Sequence, residues 1–310
     1  MDNSRAVPVF RRWFLSERSQ MDVIVASCPD RPAAESFIVQ PPLDGSVAAL
    51  WILMVEGADD VCARNGVTVV KSGRTEYVWS GGMLSVSSGP GPQTQDILSE
   101  YESFLKGREL SLADNCVRTW FFCHDIDNNY AGLVRARREN FLCEGLSPDT
   151  HYIASTGICG TPCREDAIVQ MDALAVCGEF SQRYLYAPTH MNPTYEYGVT
   201  FERGVRVDVP SSEPLVIISG TASIDNRGAV LHVGDVAAQT RRMWENVGVL
   251  LAEGGASWGD LKHILVYLRN ASDYAVVAPM FAEKFKGIPY IILLAPVCRP
   301  DWLIEMECMT

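Results

Sequence analysis

The sequence predicts an α+β protein: two tandem copies of one unit, each a mixed β-sheet with helices packed on one face. Three observations carry this. Short apolar runs of strand length surround two segments whose apolar residues recur at helical spacing. These are 93–106, with Ile97, Tyr101, Phe104 and Leu105, and 237–253, with Met243, Val247, Leu250 and Leu251. The two segments and the residues after them align without a gap, keeping Gln93/Gln239, Thr94/Thr240, Leu105/Leu251, Ser111/Ser257, Asp114/Asp260 and Asp127/Asp273 identical. Finally, 310 residues at 47% hydrophobic and 21% charged suffice for two globular cores.

The first 45 residues carry no usable motif and are set apart as an extension. The first copy, 46–180, opens with strand-like runs at 48–56, 67–71, 76–79 and 83–87. A Gly-Pro-Gly-Pro turn at 89–92 leads into the helix at 93–106, which stops near Gly107 as a C-cap would. Ser111-Leu-Ala-Asp114, a strand at 116–123, a helix at 130–144 and strands at 151–156 and 167–176 complete it. The second copy, 181–310, has strands at 199–208, 215–220 and 229–232, then the helix at 237–253, ending near Gly254-Gly255. Ser257-Trp-Gly-Asp260, a strand at 263–269, a helix at 274–285 and strands at 290–297 and 303–308 close the chain.

Composition excludes several functions. With 26 Lys+Arg against 38 Asp+Glu, the net charge is −12, and no Lys/Arg-rich run offers a face for nucleic acid. No apolar stretch reaches the ~20 residues of a membrane span. The amino terminus lacks the apolar core of a secretion signal, so a cytoplasmic address is the expectation. Ten cysteines are scattered without a Cys-x-x-Cys pair or a histidine partner at zinc spacing. Neither a disulfide scaffold nor a metal site is expected, and most thiols read as small core residues.

Several motifs then occur together. They are Ser219-Gly-Thr-Ala-Ser-Ile224, His232-Val-Gly-Asp-Val-x-x-Gln239-Thr, Asn246 in the helix, and Cys298-Arg-Pro-x-x-x-Ile-Glu305-Met-Glu307. In that order they resemble the Rid (YjgF-like) superfamily, whose units have a chorismate mutase-like fold. Two copies in one chain, with Arg118-Thr-Trp120, Asp125-Ile-Asp127 and Tyr197-Gly-x-x-Phe201-x-Arg203, look most like the chorismatases. The resemblance spans roughly 75–310.

It implies a cofactor-independent hydrolase that cleaves the enolpyruvyl ether of chorismate, giving pyruvate and a hydroxybenzoate or a dihydroxycyclohexadiene. Glu305 stands where that family carries its catalytic acid, and alternation puts Glu305 and Glu307 on one strand face. Gln170 stands at the equivalent place in the first copy, so only the second is equipped with the acid. Cys298 matches the cysteine of the hydroxybenzoate-forming branch; a packed thiol is the plainer reading. Arg203, Arg269 and Arg299 are candidates for binding the carboxylates of a small anionic metabolite. Tyr197 and Tyr267 are candidate hydroxyl donors, and the backbone at Gly220 and Thr221 a candidate anion contact. A homotrimer is one assembly the resemblance allows, since small Rid proteins place sites between three subunits.

Two departures count. Asp225-Asn-Arg-Gly228 replaces the longer loop of chorismatases. The arginine that imine-deaminating Rid proteins use for the substrate carboxylate falls at Ile291 or Ile292. Two rival readings stay open: a diverged Rid hydrolase, deaminase or cyclase, and a ligand-binding protein without catalysis.

Overall fold

The computed structural model describes residues 6–28, 32–210 and 212–310. The chain opens with β1 (Val7–Leu15), α1 (Ser19–Ser27), β2 (Ala34–Val39) and β3 (Ala48–Val55). It continues through β4 (Asp60–Arg64), β5 (Val67–Ser72), β6 (Thr75–Leu84), α2 (Pro90–Lys106), α3 (Leu112–Asn115), β7 (Cys116–Cys123), α4 (Ile126–Cys143), β8 (Ala154–Cys159), β9 (Thr161–Pro162) and β10 (Val169–Gly178). The last part holds β11 (Ser181–Leu185), β12 (Gly204–Asp208), β13 (Leu215–Ala222), α5 (Val236–Glu253), β14 (His263–Leu268), α6 (Tyr274–Lys284), β15 (Tyr290–Leu294) and β16 (Ile304–Met309).

Two six-stranded sheets share one topology. Their orders are β4-β5-β6-β10-β7-β8 and β11-β12-β13-β16-β14-β15. In each, only the last pair is parallel, β7 with β8 and β14 with β15. The tandem fold expected from the repeat is therefore present, with α2 and α4 on one sheet and α5 and α6 on the other.

The identities at equal offset have structural causes. Gln93 accepts from the backbone of Ile168 and Val169, and Gln239 accepts from Leu303, so each glutamine ties its helix to the start of the closing strand. Thr94 and Thr240 each donate to a carbonyl one turn back. Ser111 accepts from the Asp114 amide, and Ser257 with Asp260 forms a capping box.

The amino-terminal residues form structure that the sequence did not signal. β1 runs parallel to β2 and antiparallel to β3, giving a four-stranded sheet β3-β1-β2-β9. Strand 48–55 thus lies in this sheet, not beside the other strands of the first copy. The order β1-α1-β2-β3 repeats the second half of each larger sheet, β7-α4-β8-β10 and β14-α6-β15-β16. Two smaller expectations change. The runs 76–79 and 83–87 are one strand, β6, which ends at Leu84, because Ser85 and Ser87 turn to donate to Asp96 on α2. In 229–232 only Val230 makes a bridge, to Ile224.

The three sheets meet in a cycle. Ala34 N donates to Thr68 Oγ1, joining β2 to β5 (2.6 Å). Ser155 N donates to Ser219 Oγ, joining β8 to β13 (3.0 Å). Leu43 N and Leu294 N bond Ile292 O and Pro41 O, joining β15 to the segment after β2. Between the sheets lie Phe10, Trp51, Trp79 and Trp120, with the buried ion pairs Arg12–Asp172 (2.8 Å) and Arg118–Glu307 (2.6 Å).

Candidate functional site

The closing strand β16 is buried along its length, and its pleat brings Glu305 and Glu307 to one side with opposite surroundings. Glu307 is saturated. It accepts from Arg118 Nη2 (2.6 Å), Trp120 Nε1 (2.9 Å), Tyr267 Oη (3.1 Å) and the Thr156 hydroxyl. Glu305, 5% exposed, accepts no hydrogen bond from the described residues. Burial, and next the Glu307 charge, push its carboxyl up to about 8, against the pull of Arg203 and Arg118. It lies over Gly220, where a Cβ would collide with Oε1. Glycine is required there because the acid occupies the space a side chain would fill.

Glu305 faces a small cavity where the two large sheets meet. Cys298, Arg203, Tyr197 and Gly220 line it from the second copy, and Tyr130, Ser155, Thr156 and Gly157 from the first. Its volume is about 20 Å³, room for a single water. Behind residues 191–203 lies a larger cleft of about 400 Å³, walled by His151, Tyr152, Tyr195 and Glu202; Arg203 belongs to both spaces. Arg203 is 4% exposed and stands over the rings of Tyr197 (5.4 Å) and Phe201 (5.7 Å). Its Nη2 donates to Asn192 O (2.9 Å), while Nε has no partner. Burial first, then Glu305, raise the Cys298 thiol to about 12, so it is protonated at neutral pH.

The remaining sequence candidates sit outside the cavity wall. Arg299 is held between the rings of Tyr197 (4.4 Å) and Trp302 (4.7 Å) and donates to Gly228 O, so it braces Tyr197 from behind. Arg269 is committed to Asp127 on α4 (3.1 Å) and to Val297 O, where it fastens the second copy to the first. Tyr267 is fully buried and donates to Glu307. Thr221 turns its hydroxyl back to Ser219 O. The geometry therefore unites Glu305, Cys298, Arg203, Tyr197 and Gly220 and leaves Arg269, Arg299, Tyr267 and Thr221 in supporting positions.

Sequence reasoning missed the first copy's share. Tyr130, Ser155, Thr156 and Gly157 belong to α4 and β8, and only the meeting of two sheets brings them to Glu305. One signal was at hand: Arg118-Thr-Trp120, a mark of the chorismatase resemblance, supplies two of the four donors to Glu307.

Comparison with known proteins agrees with this architecture. Residues 204–310 match the family model described as Endoribonuclease L-PSP. The 3-aminoacrylate deaminase RutC of Acinetobacter baylyi is 33% identical over 103 residues, 32% of this chain and 81% of that protein. A RutC family protein of Pyrococcus abyssi is 32% identical over 96 residues, 30% of this chain and 76% of the relative. Among solved structures, a chorismatase superposes with a TM-score of 0.76 at 17% identity, covering 98% of this chain and 92% of the other. At that identity the match speaks for the fold.

Proposed function

The chain belongs to the Rid (YjgF-like) superfamily, and from that premise we propose that it is a chorismatase-like hydrolase cleaving the enolpyruvyl ether of chorismate. The observation that carries this reading is Glu305: a buried carboxyl without hydrogen bonds, protonated at neutral pH, facing a cavity beside an arginine that has no carboxylate partner among the described residues.

Such an acid suits enol-ether cleavage. Glu305 gives its proton to the methylene carbon, and a C–H bond forms as positive charge develops on the carbon bearing the ether oxygen. The new carboxylate faces that charge in a site of low dielectric. Water adds to the cation and loses its proton to Glu305. The hemiketal then collapses to pyruvate and the ring alcohol. Arg203 pairs with a substrate carboxylate, Tyr197 supports it, and Gly220 leaves room for the acid. Cys298 serves the second step of the hydroxybenzoate branch. No cofactor or metal enters this scheme, and among the described residues no His, Cys, Asp and Glu gather in threes as ion ligands.

The deaminase named among the relatives is the weaker alternative, because its carboxylate-binding arginine would fall at Ile291 or Ile292, on the apolar strand β15. A nuclease is disfavoured by the charge of −12. No helix among the described residues is long and apolar enough to cross a membrane, and we take the cytoplasm as the working compartment. We also propose the division between the two Rid-like units at 180/181, with the first unit of the expected 46–180 stretch beginning at β4, because β3 belongs to the amino-terminal sheet.

The test is incubation with chorismate and measurement of pyruvate. Wild-type protein releases it and Glu305→Gln loses at least about a hundredfold in rate. Folded wild-type protein that releases none sinks the reading. If that protein still binds chorismate, the ligand-binding alternative takes its place.

A further inference from the structure

We propose that Tyr130 is the proton carrier that serves Cys298, and that Arg137 is the positioning residue that holds its hydroxyl. The inference rests on the hydrolase reading above and deepens it by assigning residues of the first copy.

Tyr130 and Arg137 are seven residues apart on α4, two turns along one face. Tyr130 lines the cavity with Cys298 and Glu305. Space for it depends on β8, where a Cβ on Gly157 would come within 3.0 Å of the Tyr130 hydroxyl and ring. Arg137 lies just behind, 1% exposed, against the rings of Phe121 (5.5 Å) and Phe141 (6.0 Å). Its Nε donates to Thr200 Oγ1 (3.2 Å), and its Nη2 has no partner.

Four arginines are buried among the described residues. Arg12 and Arg118 each have a carboxylate, and Arg203 faces the cavity. Arg137 has no carboxylate partner among the described residues. A buried cation left so is costly, and its presence calls for a group it stabilises. The titratable groups that act on it are Tyr130, Cys298 and, from its own helix, Arg138; Tyr130 interacts with both Arg137 and the Cys298 thiol, with which it shares the cavity wall.

This order supports a relay in the branch where the ring diene loses water and becomes a hydroxybenzoate. The Cys298 S–H bond breaks, and its proton goes to the departing ring hydroxyl as the C–O bond cleaves. The Tyr130 O–H bond breaks and restores the thiol, leaving a phenolate opposite Arg137. The ring carbon loses its proton on aromatisation, and that proton returns to the phenolate. Every proton is accounted for: the Cys298 thiolate is reprotonated by Tyr130, and the anion that persists until aromatisation, the Tyr130 phenolate, faces a cation already in place.

The experiment reads the ratio of hydroxybenzoate to pyruvate, which does not depend on the overall rate. Tyr130→Phe lowers the ratio about tenfold or more, as Cys298→Ala does, and Tyr130→Phe adds nothing to Cys298→Ala. Arg137→Gln lowers it too, and Arg137→Lys restores part of it. An unchanged ratio in Tyr130→Phe overturns the proposal, as does a wild type that makes only the diene. If wild-type protein releases no pyruvate, the hydrolase reading fails separately, and a second measurement decides. The Raman S–H band of Cys298, assigned by its loss in Cys298→Ala, shifts in Tyr130→Phe and in Arg137→Gln. A band that stays in place in both overturns the pairing.

Discussion

Glu305 and Glu307 are two residues apart on one strand face, and the difference between them is entirely a matter of partners. Four donors meet Glu307 and none meets Glu305. The strand pattern could place the pair on one face; it could not tell the acid from its saturated neighbour, because the donors come from β7, β8 and β14. The contrast has a consequence for stability that needs no substrate. In the unfolded chain a glutamate titrates near 4.3, whereas Glu305 in the fold titrates at about 8. Between those values the unfolded state binds fewer protons than the native state, so stability falls as pH rises and levels off above about 8. His263, which burial and then Arg12 and Arg118 lower to about 3, has the opposite sign, losing stability as pH falls below about 6.5. In the interval from about 6.5 to 8 the His263 contribution fades, and comparison with Glu305→Gln isolates the share of Glu305. Across it, wild-type protein loses about 1.4 kcal/mol per pH unit at most, and Glu305→Gln removes that slope. Urea denaturation at several pH values checks this, and equal slopes in the two proteins would show that Glu305 is not a buried neutral acid.

Among the elements, the segment 191–203 governs access. Residues 197, 199, 201 and 203 line the small cavity, while 191, 193, 194, 195, 202 and 203 line the larger cleft, so one thin segment divides the two spaces. A cavity of about 20 Å³ cannot hold a ring dicarboxylate, so the proposed reaction requires this partition to move. Its build suits movement. Its middle contains a short 3₁₀ turn at Thr194–Tyr197 followed by Gly198 at φ 87°, whose carbonyl accepts from Arg138, while its ends are fastened by Met191 N to Ala187 O and Glu202 N to Ile153 O. Hydrogen exchange on Glu305→Gln, with and without chorismate, measures the change. Peptides from 191–203 change their exchange severalfold on binding while β7 and β10 stay as they are; no difference in 191–203 rules out the partition as the entrance. The sequence contained the Tyr197-Gly-x-x-Phe201-x-Arg203 element but not its two-sidedness, which arises only where β8 meets β12 and β13.

At the scale of the molecule, three sheets close a ring, and the third is the part least legible beforehand. The larger repeats announced themselves through helices with apolar stripes and through Gln93 and Gln239, each bonded within its own copy. The amino-terminal unit has no such marks. α1 has no buried residue among its nine. β1 carries Arg12 inward, fully buried, where a core strand would be expected to carry an apolar side chain. That arginine makes sense only with Asp172 of β10 in place, 2.8 Å away, itself bonded by Gly82 N (2.7 Å). Asp172 stands in the first copy where Glu307 stands in the second, and Arg12 meets it as Arg118 meets Glu307. One chain thus brings together three sheets in a cycle, and we expect it to need no further copies to complete the arrangement. Light scattering should then return the mass of a single chain, and a trimeric mass would count against this reading. Arg12→Met tests the joint itself. It leaves Asp172 as an uncompensated buried carboxylate and costs about 3–5 kcal/mol in urea denaturation. Adding Asp172→Asn removes the stranded charge while keeping an acceptor for Gly82 N, and recovers most of the loss. If Arg12→Met costs under about 1 kcal/mol, or the second change recovers nothing, the pair does not fasten the amino-terminal sheet to the first copy.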